Sequence, residues 1–285
     1  GLHPQTAAMG DAKRRRSATA KLIEEFPLCS ICGGRRFSTT RDHIPPKAIF
    51  DNSHRPDRLV MPACNECNNG TSTADLIASI ICRWNYNAGR QELMDSSRLV
   101  ARLRKQCPQA VDEWTKHNPI TRESGRQHLL QNGVSVPADA GIVAIGKISI
   151  RHLNLFAYKI ALGLYFHHFR EPLPNSGLVS AIWRTKEDFA RSGVPKELLE
   201  IFPRYAALQQ GRWDTSKDFE YRFDLSDKEG LFGCLARFRT SLFITGFAIR
   251  DATALPLEDM KDGDWLKPED LLSILDRPEF ERRLQ

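Results

Sequence analysis

The sequence predicts an α+β protein in two parts: a short-stranded unit clamped by cysteines, with flanking helices, over residues 1–118, and a second α+β domain of unassigned type over residues 119–285. Three observations carry this expectation. Two Cys-x-x-Cys pairs bracket a stretch with strand, loop and strand signatures that runs into a helix; a long amphipathic stretch begins at residue 151; and a series of apolar strand-like segments follows it. At 285 residues the chain exceeds the common size of one domain, and a hydrophobic content of 41%, with 15 Phe and 5 Trp, can fill a substantial core.

Composition narrows the functional classes. Charged residues make up 27% of the chain and mean hydropathy is −0.41, which describes a water-soluble surface. The longest apolar stretch, Leu153 to Phe166, is interrupted by Asn154 and Lys159 and is too short to span a bilayer. No basic-then-apolar segment opens the chain, so a cytoplasmic address without a membrane partner is expected. The net charge of +6 and pI near 9.0 favour anionic partners. Positive charge concentrates early, in Lys13 to Arg16 and then Arg35, Arg36, Arg41 and Lys47, and such a cluster suits a phosphate backbone.

The cysteines are the strongest signal. Of seven, Cys29 and Cys32 form one Cys-x-x-Cys pair and Cys64 and Cys67 another, thirty-one residues apart. Two such knuckles supply four thiolates for a tetrahedral zinc ion, and Gly33 and Gly34 let the first knuckle turn so that amides can face the sulfurs. A redox dithiol needs only one pair, and structural disulfides do not suit an odd cysteine count in a reducing compartment. Four thiolates leave no open coordination position, so this zinc is structural and any chemistry lies elsewhere. Cys82, Cys107 and Cys234 read as inert buried thiols.

Between the knuckles, Phe37, Thr39 and Thr40 favour a strand that Pro45 and Pro46 end, and residues 58–64 read as a second strand. A helix follows, with cap hydroxyls offered by Thr71 to Thr73, Asp75 in its first turn, and Leu76, Ile77, Ile80, Ile81 and Trp84 at helical spacing. Near residues 42 and 43 an aspartate and a histidine stand side by side. Adjacent side chains of an extended segment point to opposite faces, so a local bend is needed to bring both to one substrate.

Cys-x-x-Cys, then Asp-His-Ile-x-Pro, then a strand ending in Pro-Ala-Cys-x-x-Cys-Asn at a helix start resembles the zinc-knuckle branch of the HNH endonucleases, whose active unit is the ββα-metal fold. The resemblance covers residues 26 to about 90. It implies that His43 is the general base for water attacking a phosphodiester, and that Asp42 and Asn68 bind a catalytic divalent cation, magnesium or manganese. A neutral imidazole can accept a proton near neutral pH, and a hard cation takes carboxylate and amide oxygens. The family's middle asparagine has no clear counterpart here: Asp57 is the nearest match and Asn52 the alternative. The implied partner is DNA, with RNA second, and a bacterial or phage defence role suits a nuclease joined to a second domain that senses a ligand or protein partner. The alternative from another class is a zinc-ribbon module that binds nucleic acid or protein without turnover.

Beyond this unit, helical character runs to about Lys116, and the polar segment His117 to Gly141 marks the expected boundary. Residues 141–150 alternate like a strand, and 151–169 read as an amphipathic helix. Residues 178–183, 219–225 and the two runs within 231–249 read as strands, the last two as a hairpin. The remaining histidines, including His54, His167 and His168, read as structural or surface residues.

Overall fold

Two short strands, β1 (Thr40–His43) and β2 (Val60–Ala63), pair antiparallel with Thr40 opposite Ala63 and His43 opposite Val60. The computed structural model describes residues 17–51, 59–85, 88–116, 119–131, 133–135, 141–190, 193–207, 209–210, 213–254 and 265–281. A helix over 17–25, α1, precedes the pair, and α2 (Asn65–Gly70) and α3 (Ser72–Ile81) follow it. The cap of this helical run is not one of the expected hydroxyls: the Cys64 sulfur accepts from the Cys67 amide at 3.4 Å, so helix begins at the second knuckle. Thr71 instead sits between α2 and α3, where its hydroxyl donates to the Cys67 carbonyl at 3.0 Å.

The helices α4 (Arg90–Gln106), α5 (Pro108–Thr115) and α6 (Pro119–Gln131) come next, so helix occupies part of the segment expected to separate two domains. The long helix α7 (Lys147–Phe169) then crosses the molecule. Its start corrects the strand expected over residues 141–150. The Glu113 carboxylate on α5 accepts from the Ile148 amide at 2.8 Å and from the Ser149 amide at 3.1 Å, so first-turn donors are satisfied by another helix. Alternation in sequence was outweighed by that tertiary cap.

The remainder is a five-stranded antiparallel sheet. The strands are β3 (Leu178–Thr185), β4 (Arg204–Ala207), β7 (Phe219–Ser226), β8 (Leu231–Phe238) and β9 (Leu242–Ile249), in the order β3-β9-β8-β7-β4, with a two-residue pair, β5 (Gln209–Gln210) and β6 (Trp213–Asp214), beside it. A short helix, α8 (Lys196–Ile201), precedes β4. Alternate residues of β3, from Val179 to Thr185, are buried. The sheet lies on α7 closely enough that a side chain on Gly246 of β9 would come within 2.8 Å of the Ala161 methyl. Two 3₁₀ segments, Pro268–Leu275 and Pro278–Glu281, return to cover α7.

Nearly all of α7 from Leu153 to Phe166 is buried, and one apolar cluster runs from the knuckles through α3 and α7 to the sheet. The two polar residues that break this run both have specific partners. Asn154 donates to the Phe280 carbonyl and accepts from the Trp183 indole, each at 2.9 Å, and Lys159 reaches back to the N-terminal unit. The chain is thus mixed α+β, with α7 serving as the sheet's cover on one side and as a wall for β2 and α3 on the other, and with Lys159 reaching Asp42 of β1.

Candidate functional site

The knuckles bring Cys29, Cys32, Cys64 and Cys67 together, with their Sγ atoms all within 4.8 Å of one another and all four residues buried. Gly33 and Gly34 adopt positive φ values of 60° and 80°, conformations that side chains disfavour, and they let the chain double back on itself. The Gly34 amide binds the Cys29 carbonyl at 2.9 Å rather than a sulfur. Hydrogen bonds from the Cys29 and Cys67 thiols hold Cys32 down to about 3, whereas its thiol neighbours and burial push Cys67 far above the ordinary thiol range. Four sulfurs gathered at this separation from two knuckles make a tetrahedral ligand set, and these four cysteines could hold a metal ion such as zinc.

The other three cysteines have different surroundings. Burial pushes the Cys82 and Cys234 thiols up to about 12, which makes both inert. Cys107, expected to be buried, is only half-buried, because it lies in the link between α4 and α5.

Beside the knuckles opens a cleft of about 750 Å3 between β1, α1, α2, α3 and α4. Asp42, His43 and Asn68 all line it, so the three residues singled out at the motif positions share one cavity. The Asp42 carboxylate accepts from the His43 amide at 2.8 Å through Oδ1. Asn68 donates through Nδ2 to the Thr40 hydroxyl at 3.4 Å, which leaves its amide oxygen as an acceptor. Asp57, Asn52 and His54 lie outside the described residues, as does the basic run Lys13 to Arg16.

Asp42 is also engaged from α7, by a residue outside the motif. Its Oδ2 lies 2.7 Å from Nζ of Lys159 on α7, and the same ammonium is 2.7 Å from Oδ2 of Asp75 on α3. The reason is the register between strand and helix. Asp42 and Ile44 share one side of the extended chain, Lys159 and Gly163 share one side of α7, and the two sides meet. A side chain on Gly163 would come within 2.1 Å of Ile44 Cδ1, so glycine is what allows the approach. Lys159 is fully buried. Burial works against its charge, but Asp42 and Asp75 outweigh that cost and hold its pKa above the ordinary lysine value. Burial raises Asp75 to about 7, against the pull of Lys159 and with the Asp42 charge adding to the rise.

Sequence reasoning missed Lys159, Asp75 in this role, and Arg102, which reaches the cleft from α4. Lys159 had a signal, being the one charged residue inside a run of apolar side chains. The expected basic cluster divides in the structure: Arg41 and Lys47 line the cleft, while Arg36 pairs with Glu66 at 2.9 Å and Arg35 lies 3.7 Å from Glu269.

A buried arginine, Arg83, and a half-buried one, Arg239, shape the segment that leaves the cleft after the prolines. Arg83 donates to the carbonyls of Ala48, Ile49 and Phe50 at 3.0 to 3.2 Å, and Arg239 binds the Ile49 carbonyl, Asp51 and Asp218 at 3.1, 3.2 and 2.7 Å. Among the described residues, no helix is long and apolar enough to cross a membrane. Comparisons with protein-family models, with curated proteins and with solved structures find no match, so the residues of this cleft and of the cysteine cluster are the basis on which function is read.

Proposed function

We propose that the chain is a metal-dependent endonuclease of the HNH type, hydrolysing phosphodiester bonds in DNA. The observation that carries the reading is the convergence of Asp42, His43 and Asn68 on one cleft that Arg41, Lys47 and Arg102 also line. An imidazole beside oxygen donors, ringed by guanidinium and ammonium groups, matches what a phosphodiester needs: a base for water and cations for the phosphate oxygens. The antiparallel β1–β2 pair running into a helix at a Cys-x-x-Cys knuckle supports the resemblance to the ββα-metal unit.

In this reading the neutral His43 imidazole takes the proton from the attacking water, and Arg41, Lys47 and Arg102 hold phosphate oxygens. Asp42 and Asn68 would hold the divalent cation. Asp42 Oδ2 is buried against Lys159, so the carboxylate would offer the cation Oδ1, one lone pair of which the His43 amide already takes, and the Asn68 amide oxygen remains to accept. When bound, the cation neutralises charge on the phosphate and the leaving oxygen. Zinc on the four cysteines would fix the knuckles, and with them β1 and α2, without entering the reaction.

The test is supercoiled plasmid incubated with magnesium or manganese, with and without EDTA, alongside Asp42→Asn and Asn68→Ala. Metal-dependent nicking that both substitutions reduce at least tenfold supports the assignment. Binding of DNA with no nicking under any metal would instead favour a zinc-ribbon binding module.

A further inference from the structure

The ion triad behind the cleft invites a question that the reaction leaves open: why an ammonium is buried in an otherwise apolar helix face. Lys159 is 0% exposed, surrounded along α7 by Phe156, Tyr158, Ile160, Leu162 and Gly163. A buried ion group is an expensive way to hold two elements together, since apolar residues of similar volume would do so at lower cost. Such a group does, however, fix direction. It allows only arrangements in which all three members meet.

Here the members come from three parts of the chain. Asp42 belongs to β1, Asp75 to α3 and Lys159 to α7, and the two carboxylates each lie 2.7 Å from the one nitrogen. Asp42 then relays that constraint, because its other oxygen accepts from the His43 amide at 2.8 Å. The chain of contact runs Asp75, Lys159, Asp42, His43, and it ends on the residue read as the base. Asp42 and Asp75 line the cleft, and Lys159 lies behind them.

We infer that Lys159 and Asp75 are positioning residues for the reaction: they orient the Asp42 carboxylate, and through it the backbone at His43, and so couple the alignment of the cleft to the α7 helix and the sheet it carries. The inference rests on the nuclease reading for its catalytic consequence, but its geometric content stands apart from it. Neither residue touches substrate in this account. Asp75 balances Lys159, and Lys159 holds Asp42.

The test uses the full-length, zinc-loaded protein with Asp75→Asn, which keeps shape and removes one charge, and Lys159→Arg, which keeps charge and changes geometry. Three quantities are measured: thermal stability with zinc content, nicking as kcat and KM separately, and hydrogen exchange at the His43 amide. The expected result for folded, zinc-loaded Asp75→Asn is a loss of at least tenfold in kcat, with KM for plasmid changed less than twofold. Exchange at the His43 amide should be at least tenfold faster, while the Ile44 amide, which bonds the Leu59 carbonyl at 3.0 Å, stays protected. A variant that is merely destabilised would speed exchange at both amides together.

If Asp75→Asn and Lys159→Arg both fold and retain wild-type kcat and wild-type exchange at His43, the inference is overturned. If Lys159→Arg does not fold, Asp75→Asn alone decides. Faster exchange at His43 in a protein whose wild type never nicks DNA would retain the positioning role and reject the nuclease reading instead.

Discussion

At the scale of single residues, the account rests on a few polar groups whose surroundings fix what they can do. Lys159 is the clearest. Removing its charge leaves Asp42 and Asp75 facing each other in a buried place, and losing one member of a buried ion group costs about 3–5 kcal/mol. Lys159→Met is therefore expected to lower stability by that order in chemical denaturation; a change below about 1 kcal/mol would mean that the carboxylates simply take up protons or turn to water. Arg83 makes a parallel case. It is 4% exposed and serves three carbonyls after the proline turn, so Arg83→Ala should cost about 3 kcal/mol and make the segment after Phe50 a preferred site of limited proteolysis. The motif residues were legible because their spacing is dense: Asp42, His43 and Asn68 were identifiable in sequence and share the cleft. Asp75 was legible only as a first-turn acid of a helix. Its partner stands 84 positions later, and no local pattern encodes a contact across that distance.

At the scale of elements, periodicity carried most of the information where packing agreed with it. The buried stripe of α3, the helix over 151–169 within α7 and the β8–β9 hairpin all lie where alternation or helical spacing put them, although α7 is buried on every face from Leu153 to Phe166 rather than amphipathic. It failed where a partner from elsewhere changed the local choice. Residues 147–150 alternate like a strand, yet Glu113 of α5 receives their amides and makes them a helix start. The contact between α7 and β1 could not be read at all, because it depends on Gly163 lying opposite Ile44. Gly163→Ala gains about 1 kcal/mol of helix propensity and forces a methyl to within 2.1 Å of Ile44, an overpacking that costs about 1–3 kcal/mol. The expected outcome is a net loss of stability together with reduced nicking, since the displaced residue adjoins His43. A more stable Gly163→Ala protein with full activity would show that β1 and α7 are less tightly joined than described.

At the scale of the whole molecule, α7 packs against α3 and β2 from before residue 118 and against the sheet that follows it, while the cysteine cluster lies wholly within the first part. Cys29→Ser is expected to lose zinc and unfold the knuckles, and Cys234→Ser to do neither, as measured by elemental analysis and melting. Because α7 forms a wall for β2 and α3, a fragment ending at residue 118 should give a poorly dispersed NMR spectrum even with zinc, whereas the full chain should not. Acid should weaken the fold through its half-buried histidines. Burial holds His152 and His168 at about 4, with Arg151 adding to the effect at the first and His167 at the second. Their folded pKa lies below the unfolded value near 6.5. The stability they contribute is thus complete above about pH 6.5 and falls, by up to about 1.4 kcal/mol per pH unit for each, as pH drops towards 4. His168→Gln should flatten that decline in denaturation curves taken across the same range. All these outcomes concern the frame around one cleft, and its chemistry is tested most directly by a single comparison: magnesium-dependent nicking of supercoiled plasmid by the wild type and by His43→Ala, at matched zinc content. The account predicts nicking by the wild type that falls by a factor of about 10²–10⁴ on loss of the imidazole. Magnesium-dependent nicking that survives His43→Ala unchanged would contradict it.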